Sequence, residues 1–230
     1  MFKALILSSI LFMLSVFAAS AETLKLRTDA FGEPFISFYG EVVDGSSARL
    51  AAMMDKSGTS TVSFYSGGGV AREAEMIGRV LSDRKATAIV PRGSFCLSAC
   101  AEAFLGAQDY YVKGILGYHV SYFLGKPEGE NFNSIFKYGQ YVGGSTLAYT
   151  MANGFSVEMY MFIAARTDPN TFFVLTSTEE LRDFYVRDDE EDVLDRYFDK
   201  SYHSPEWFEQ HLWSGPQIGW YSYRQRGKIQ

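Results

Sequence analysis

The chain has 230 residues, with 21 basic against 27 acidic side chains and a formal net charge of −6. That length suits one ordinary domain with a real core. The acidic balance excludes a broad basic face for nucleic acid.

The first residues, MFKALILSSILFMLSVFAASA, place Lys3 before an apolar run from Ala4 to Ala19. The run ends in the small-x-small pattern Ala19-Ser20-Ala21. This is the layout of a secretory signal, and the run is short and serine-interrupted for a membrane anchor. We expect residues 1–21 to be removed before Glu22, which loses only Lys3 and leaves 20 basic side chains against 27 acidic. No later run is long and apolar enough to span a bilayer. The expected location is a bacterial periplasm or another secreted compartment, where disulfides are permitted.

PFISFYGEVV (34–43) reads as a strand ending in a turn. Leu50, Met53 and Met54 then begin a helical stripe that Gly58 stops. TVSFYS (61–66) is a short β-rich run entering Gly67-Gly68-Gly69. Val70, Ala74, Ile77 and Leu81 fall at i, i+4, i+7 and i+11 with charges between them, which predicts an amphipathic helix. TAIVPRG (87–93) reads as a buried parallel strand, Ala99 to Leu105 as a buried helix, and ILGYHVSYF (115–123) as a further strand. Such alternation implies βαβ units, a largely parallel sheet and an α/β class.

Residues 133–153 and 156–165 read as helices, with Gly154 between them as a C-cap. LTSTEEL (175–181) contains a helix start, a hydroxyl followed three residues later by a glutamate. RDDEED (187–192) is a solvated charge run. Residues 201–223 hold all three tryptophans, too aromatic for a disordered tail, so they are expected to pack on the domain or a neighbouring subunit. The expected division is a domain over 22–195 and an aromatic extension over 196–230.

The glycine run at 66–69 lacks the lysine of a phosphate loop and the spacing of a dinucleotide turn. It is either a tight turn or a place where backbone N–H groups approach an anion or oxyanion. Ser98 follows a strand at a helix start, which suits an N-cap or a nucleophile. In a G-x-S-x-G elbow glycines would flank it at two positions; here those positions are Cys96 and Cys100. Their spacing is wrong for a C-x-x-C redox pair, and a metal site would need further ligands. At i and i+4 across a helix start they come within bridging distance. An oxidising compartment then favours a disulfide over two buried thiols, with rigidity around Ser98 as its effect. His119 lies 21 residues after Ser98 in an apolar strand and is the candidate base. His203 and His211, in the aromatic extension, suit surface or packing roles.

SFYSGGGVAREAEMIGRVL, TAIVPRGSFCLSACAEAFLGA and GILGYHVSY, in that order, resemble the Clp-type serine peptidases of the ClpP/crotonase superfamily. The likeness extends from about Pro34 to Val186 and is greatest to a secreted bacterial branch with a C-x-S-A-C centre and a G-x-H strand. Ser66-Gly67-Gly68-Gly69-Val70 stands where that family has S-P-G-G-x, and LTSTEELRDFYV is similar to its L-S/T-x-x-E-A block. The resemblance implies a spiral of ββα units with a mainly parallel sheet and flanking helices. It implies Ser98 as nucleophile, His119 as base, and the backbone N–H groups of Gly68 and Ala99 as oxyanion hole. The family aspartate lies shortly before the L-T/S block, where this chain has Phe172-Phe173-Val174. Asp168 is taken as the third member, with Asn170 the other polar residue nearby.

A peptide or protein substrate, a homo-oligomer, and no metal or cofactor follow from the same resemblance. Crotonase relatives act on coenzyme A esters with glutamates, and an exported chain with Ser98 and His119 argues against that chemistry. The alternative is a periplasmic binding protein on the same fold with weak or absent catalysis.

Overall fold

The computed structural model describes residues 22–121, 131–182 and 210–213. The leader over 1–21, the charge run 187–192, His203 and the rest of the aromatic extension lie outside these residues. So do Tyr122 and Phe123, the last two residues of the strand read at 115–123.

The protein is α/β. One sheet has the order β1-β2-β3-β4-β6, formed by β1 (Thr23–Thr28), β2 (Pro34–Tyr39), β3 (Thr61–Tyr65), β4 (Thr87–Val90) and β6 (Asp109–Val112). All its pairings are parallel except β1 with β2. The other sheet has the order β5-β7-β8-β9, from β5 (Phe95–Leu97), β7 (Ile115–Tyr118), β8 (Phe172–Leu175) and β9 (Leu212–Trp213). Only β5 and β7 pair in parallel there. Each turn of the central chain therefore gives a strand to each sheet. β4 and β5 are followed by α3 (Ala99–Phe104), and β6 and β7 come next.

The parallel core strands alternate as the pleat requires. Ile36, Phe38, Val62, Phe64, Ala88 and Val90 are buried. Against them lie α1 (Ser46–Ser57) through Leu50 and Met54, and α2 (Ala71–Asp83) through Ala74, Ile77 and Leu81. Phe64 packs between Phe38, tilted at 38°, and the edge-on Phe104, with ring centroids 5.5 and 6.2 Å away. Each such side chain contributes about 1.5–3 kcal/mol by leaving water. The turn that ends α3 comes very close to α2: a Cβ on Gly106 would lie 2.1 Å from the Gly78 carbonyl oxygen. Only glycines allow that approach, and it clamps the helix that begins after Ser98.

Three expected elements are shorter than their hydrophobic runs. The strand read at 34–43 ends at Tyr39, and beyond it Val42 bridges Gly69. The single strand read at 87–93 is β4 and then a turn, in which Ser94 N–H donates to Pro91 C=O at 3.0 Å. β5 follows in the other sheet. The strand read at 115–123 ends at Tyr118, because Val120 N–H turns to Thr167 Oγ1 at 2.8 Å and leaves the ladder.

α4 (Phe132–Ala152) ends as expected around Gly154. Its N–H reaches Met151 C=O and that of Phe155 reaches Thr150 C=O, the paired bonds of a Schellman motif. α5 (Val157–Arg166) is capped by Ser156. At α6 (Thr178–Arg182) Ser177 and Glu180 bond each other's N–H groups, at 3.1 and 3.2 Å, as a capping box. Residues 212–213 extend the second sheet beside β8, and Val174 N–H donates to His211 C=O at 2.9 Å.

Candidate active site

β5 delivers Ser98 to the top of the second sheet. Leu97 pairs with Gly117, and Ser98 N–H donates to Gly117 C=O at 2.8 Å. α3 starts at the next residue, so the chain turns within one position. Ser98 makes the turn with φ 55° and ψ −128°, a region costly for a residue with a Cβ, about 1–3 kcal/mol. This is the geometry of a nucleophile elbow, which lifts a serine Oγ clear of its own strand. Cys96 and Cys100 are joined by a disulfide, with Cα atoms 5.2 Å apart. The bond ties the last turn of strand to the first turn of helix on either side of Ser98.

β7 runs beside β5 and carries His119 just past its end. His119 Nε2 lies 2.6 Å from Ser98 Oγ. The imidazole is 7% exposed and packs on Phe172 with ring centroids 4.6 Å apart. Burial pushes its pKa down to about 4, opposed by a hydrogen bond to the Asp168 main chain and by the Asp168 charge. The ring is therefore neutral at pH 7 and able to take a proton from the hydroxyl.

Asp168 sits on the loop after α5, close enough to act on His119. Its carboxylate is exposed and accepts from Asn170 N–H at 2.7 Å and Thr171 N–H at 2.9 Å. Those bonds hold its pKa below the ordinary carboxylate range, with the His119 interaction the smallest contributor. Asp168 thus addresses the imidazole through its main chain and its field, while its carboxylate closes its own turn. Asn170 is exposed on the same turn.

The glycine run meets the nucleophile from the other side. Gly68 has φ +98°, and a Cβ there would lie 2.6 Å from both Leu97 C=O and Ser98 Cβ, and 3.0 Å from Ala99 N. Its own N–H donates to Ser66 Oγ at 3.1 Å. In the bridge between Val42 and Gly69, Val42 N–H bonds Gly68 C=O and Val70 N–H bonds Val42 C=O. That pattern leaves the Gly69 N–H out of the bonds to Val42. Gly69, Ser98, Ala99 and His119 line one cleft of about 1140 Å³. Gly69 thus lines the cleft, although the resemblance assigned the oxyanion role to Gly68 and not to it.

Glu102, one helical turn after Ser98, is a site residue the sequence reading passed over. It is buried in α3 and lines the same cleft. The signal was there: one acid in an otherwise apolar six-residue helix. Among the described residues no three His, Cys, Asp or Glu side chains are grouped to hold a metal ion, and no helix is long and apolar enough to cross a membrane.

No protein-family model matches the chain, and no curated protein matches it. Among solved structures it is similar to a mutant of ClpP1 from Listeria monocytogenes, at 20% identity and a TM-score of 0.44, covering 65% of this chain and 85% of that one. It is also similar to a mutant of 1510-N, a membrane-bound stomatin-specific protease, at 14% identity and a TM-score of 0.43, covering 64% and 73%. At these identities and scores the likeness bears on neither function nor mechanism.

Proposed function

We propose that this protein is an exported serine hydrolase of the Clp-peptidase type, acting on peptide or related acyl bonds. The observation that carries the reading is the 2.6 Å contact between His119 Nε2 and Ser98 Oγ, made where Ser98 is held in a strained strand-to-helix turn. His119 takes the hydroxyl proton as Oγ attacks the acyl carbon, then returns it to the leaving group. Water repeats the sequence on the acyl-enzyme. The oxyanion falls to the N–H of Ala99 and, of the two neighbouring glycines, to that of Gly69, since the Gly68 N–H is engaged by Ser66. Asp168 supports the imidazolium through its main chain and its charge.

A serine-directed fluorophosphonate tests the reading. The wild-type chain should be labelled, and Ser98→Ala should not. Labelling that persists in the variant, or never occurs, overturns it. The rate of labelling should also stay flat from pH 8 to about pH 5 and halve near pH 4, because burial holds His119 at about that value. An acid limb near 6.5, the usual histidine range, would show that the ring is not desolvated in solution.

The alternative, a binding protein with lapsed catalysis, draws on the Asp168 carboxylate bonded to its own loop. Any turnover that depends on Ser98 rules it out. A homo-oligomer belongs to the same proposal, and the exposed Phe136, Tyr141 and Met161 on α4 and α5 are surfaces that assembly would cover.

A further inference from the structure

A smaller recess of about 140 Å³ opens beside His119, between α3, β7, α4 and α5. Leu105, Tyr118, Val142, Met159 and Ile163 make its walls largely apolar. Glu102, His119, Ser121, Thr146, Thr150 and Tyr160 bring polar groups to that surface. Glu102 Oε2 and Thr146 Oγ1 are buried without a hydrogen-bond partner among the described residues. Their residues are 8% and 9% exposed. The charged group that acts on Glu102 is another carboxylate, Glu75, itself bonded to Ser145 Oγ at 3.0 Å. Burial and that like charge push the Glu102 carboxyl up to about 7, while the Ser121 hydroxyl favours its charged form. A buried carboxyl with one oxygen left without a donor, facing a second acid, is an unfavourable arrangement in an empty protein.

We propose that this recess is a specificity pocket for a substrate side chain ending in a primary ammonium on an aliphatic stem, as in lysine, with Glu102 Oε2 and Thr146 Oγ1 as acceptors. The inference rests on the Ser98–His119 reading and names the substrate class of that site. Apolar walls take the methylene stem, as they do wherever lysine buries its chain. An ammonium carries three donors and no acceptor, which matches oxygens that lack donors. An anionic group would meet Glu102 and Glu75, and a plain alkyl group would leave both oxygens unpaired. Glu102, His119 and Ser121 line the recess and the catalytic cleft alike. A side chain seated in the recess therefore belongs to a substrate lying against Ser98.

The test compares two diphenyl phosphonates on the full chain, one with a 4-aminobutyl side chain and one with n-butyl. In each, Ser98 Oγ forms the P–O bond and phenol leaves with the proton His119 received. The aminobutyl reagent should inactivate the wild type roughly tenfold faster or more. In Glu102→Gln the ratio should fall to about one, and Thr146→Val should lower it by a smaller factor. Thr146→Val also serves as the reading if Glu102→Gln fails to fold. Equal rates in the wild type, or a ratio that survives both substitutions, overturn the pocket while labelled Ser98 still upholds the hydrolase. If neither reagent nor the small fluorophosphonate labels Ser98, the hydrolase reading fails and takes the pocket with it.

Discussion

Replacing His119 with alanine should slow single-turnover cleavage of an activated ester by roughly 10⁶-fold, the scale seen when the serine or histidine of a concerted catalytic set is removed. Ser98→Ala should cost as much, and the double variant should be no slower than either single one. The reason is the 2.6 Å contact between Nε2 and Oγ. A serine hydroxyl is a weak nucleophile at neutral pH and gains its reactivity from a base already in place. With the base gone, the residual rate comes from binding and the oxyanion donors, which neither substitution removes. The measurement is single-turnover release of the leaving group from an activated ester, with circular dichroism to show that each variant folds. Additive losses in the double variant would mean that Ser98 and His119 act separately, and the acyl-transfer reading would fall.

Glu102→Gln should change stability in a pH-dependent way. The folded-state pKa of Glu102 is raised from 4.5 to about 7, chiefly by burial. The native state then holds that proton more tightly than the unfolded chain. Its contribution is fully present below pH 4.5 and is lost as pH rises to 7. Glutamine carries no such titration. The unfolding free energy of the variant should therefore gain about 3 kcal/mol on the wild type between pH 4.5 and 7, at 1.36 kcal/mol per pKa unit.

His119 works in the opposite direction. Its pKa falls from 6.5 unfolded to about 4 folded, so stability is lost as pH drops through that window. In the wild type the two buried groups offset each other between about pH 4.5 and 6.5. The substitution exposes the histidine term as a profile that climbs with pH. Urea unfolding at half-unit pH steps makes the comparison. A constant difference between the two proteins would show that Glu102 is solvated.

The local signals for the site were strong because each element that positions it is short-range in origin. The period of Ala74, Ile77 and Leu81 makes α2 amphipathic whatever surrounds it, and all three are buried. Ser177 and Glu180 form their capping box from spacing alone. The serine between two cysteines marked a constrained turn, and Cys96 and Cys100 are bonded around it. What stayed hidden was short or depended on distant partners. β5 is three residues long, below the length at which alternation declares itself. β8 carries Phe172, Phe173 and Val174, and only the pairing of β8 with β7 sets Phe172 against His119.

By itself, then, the sequence determined the α/β class, the order of its central elements and the pair of residues, Ser98 and His119, that carry the candidate chemistry. Periodicity, caps and motif spacing are properties of neighbouring residues, and a chain cannot conceal them. The tertiary structure alone decided that the Gly68 N–H is engaged by Ser66, that Asp168 turns its carboxylate to its own loop, and that Glu102 is stripped of water beside the cleft. Each of these depends on hydrogen-bond direction or burial, and both are set by segments far apart in the chain that meet only when the fold closes.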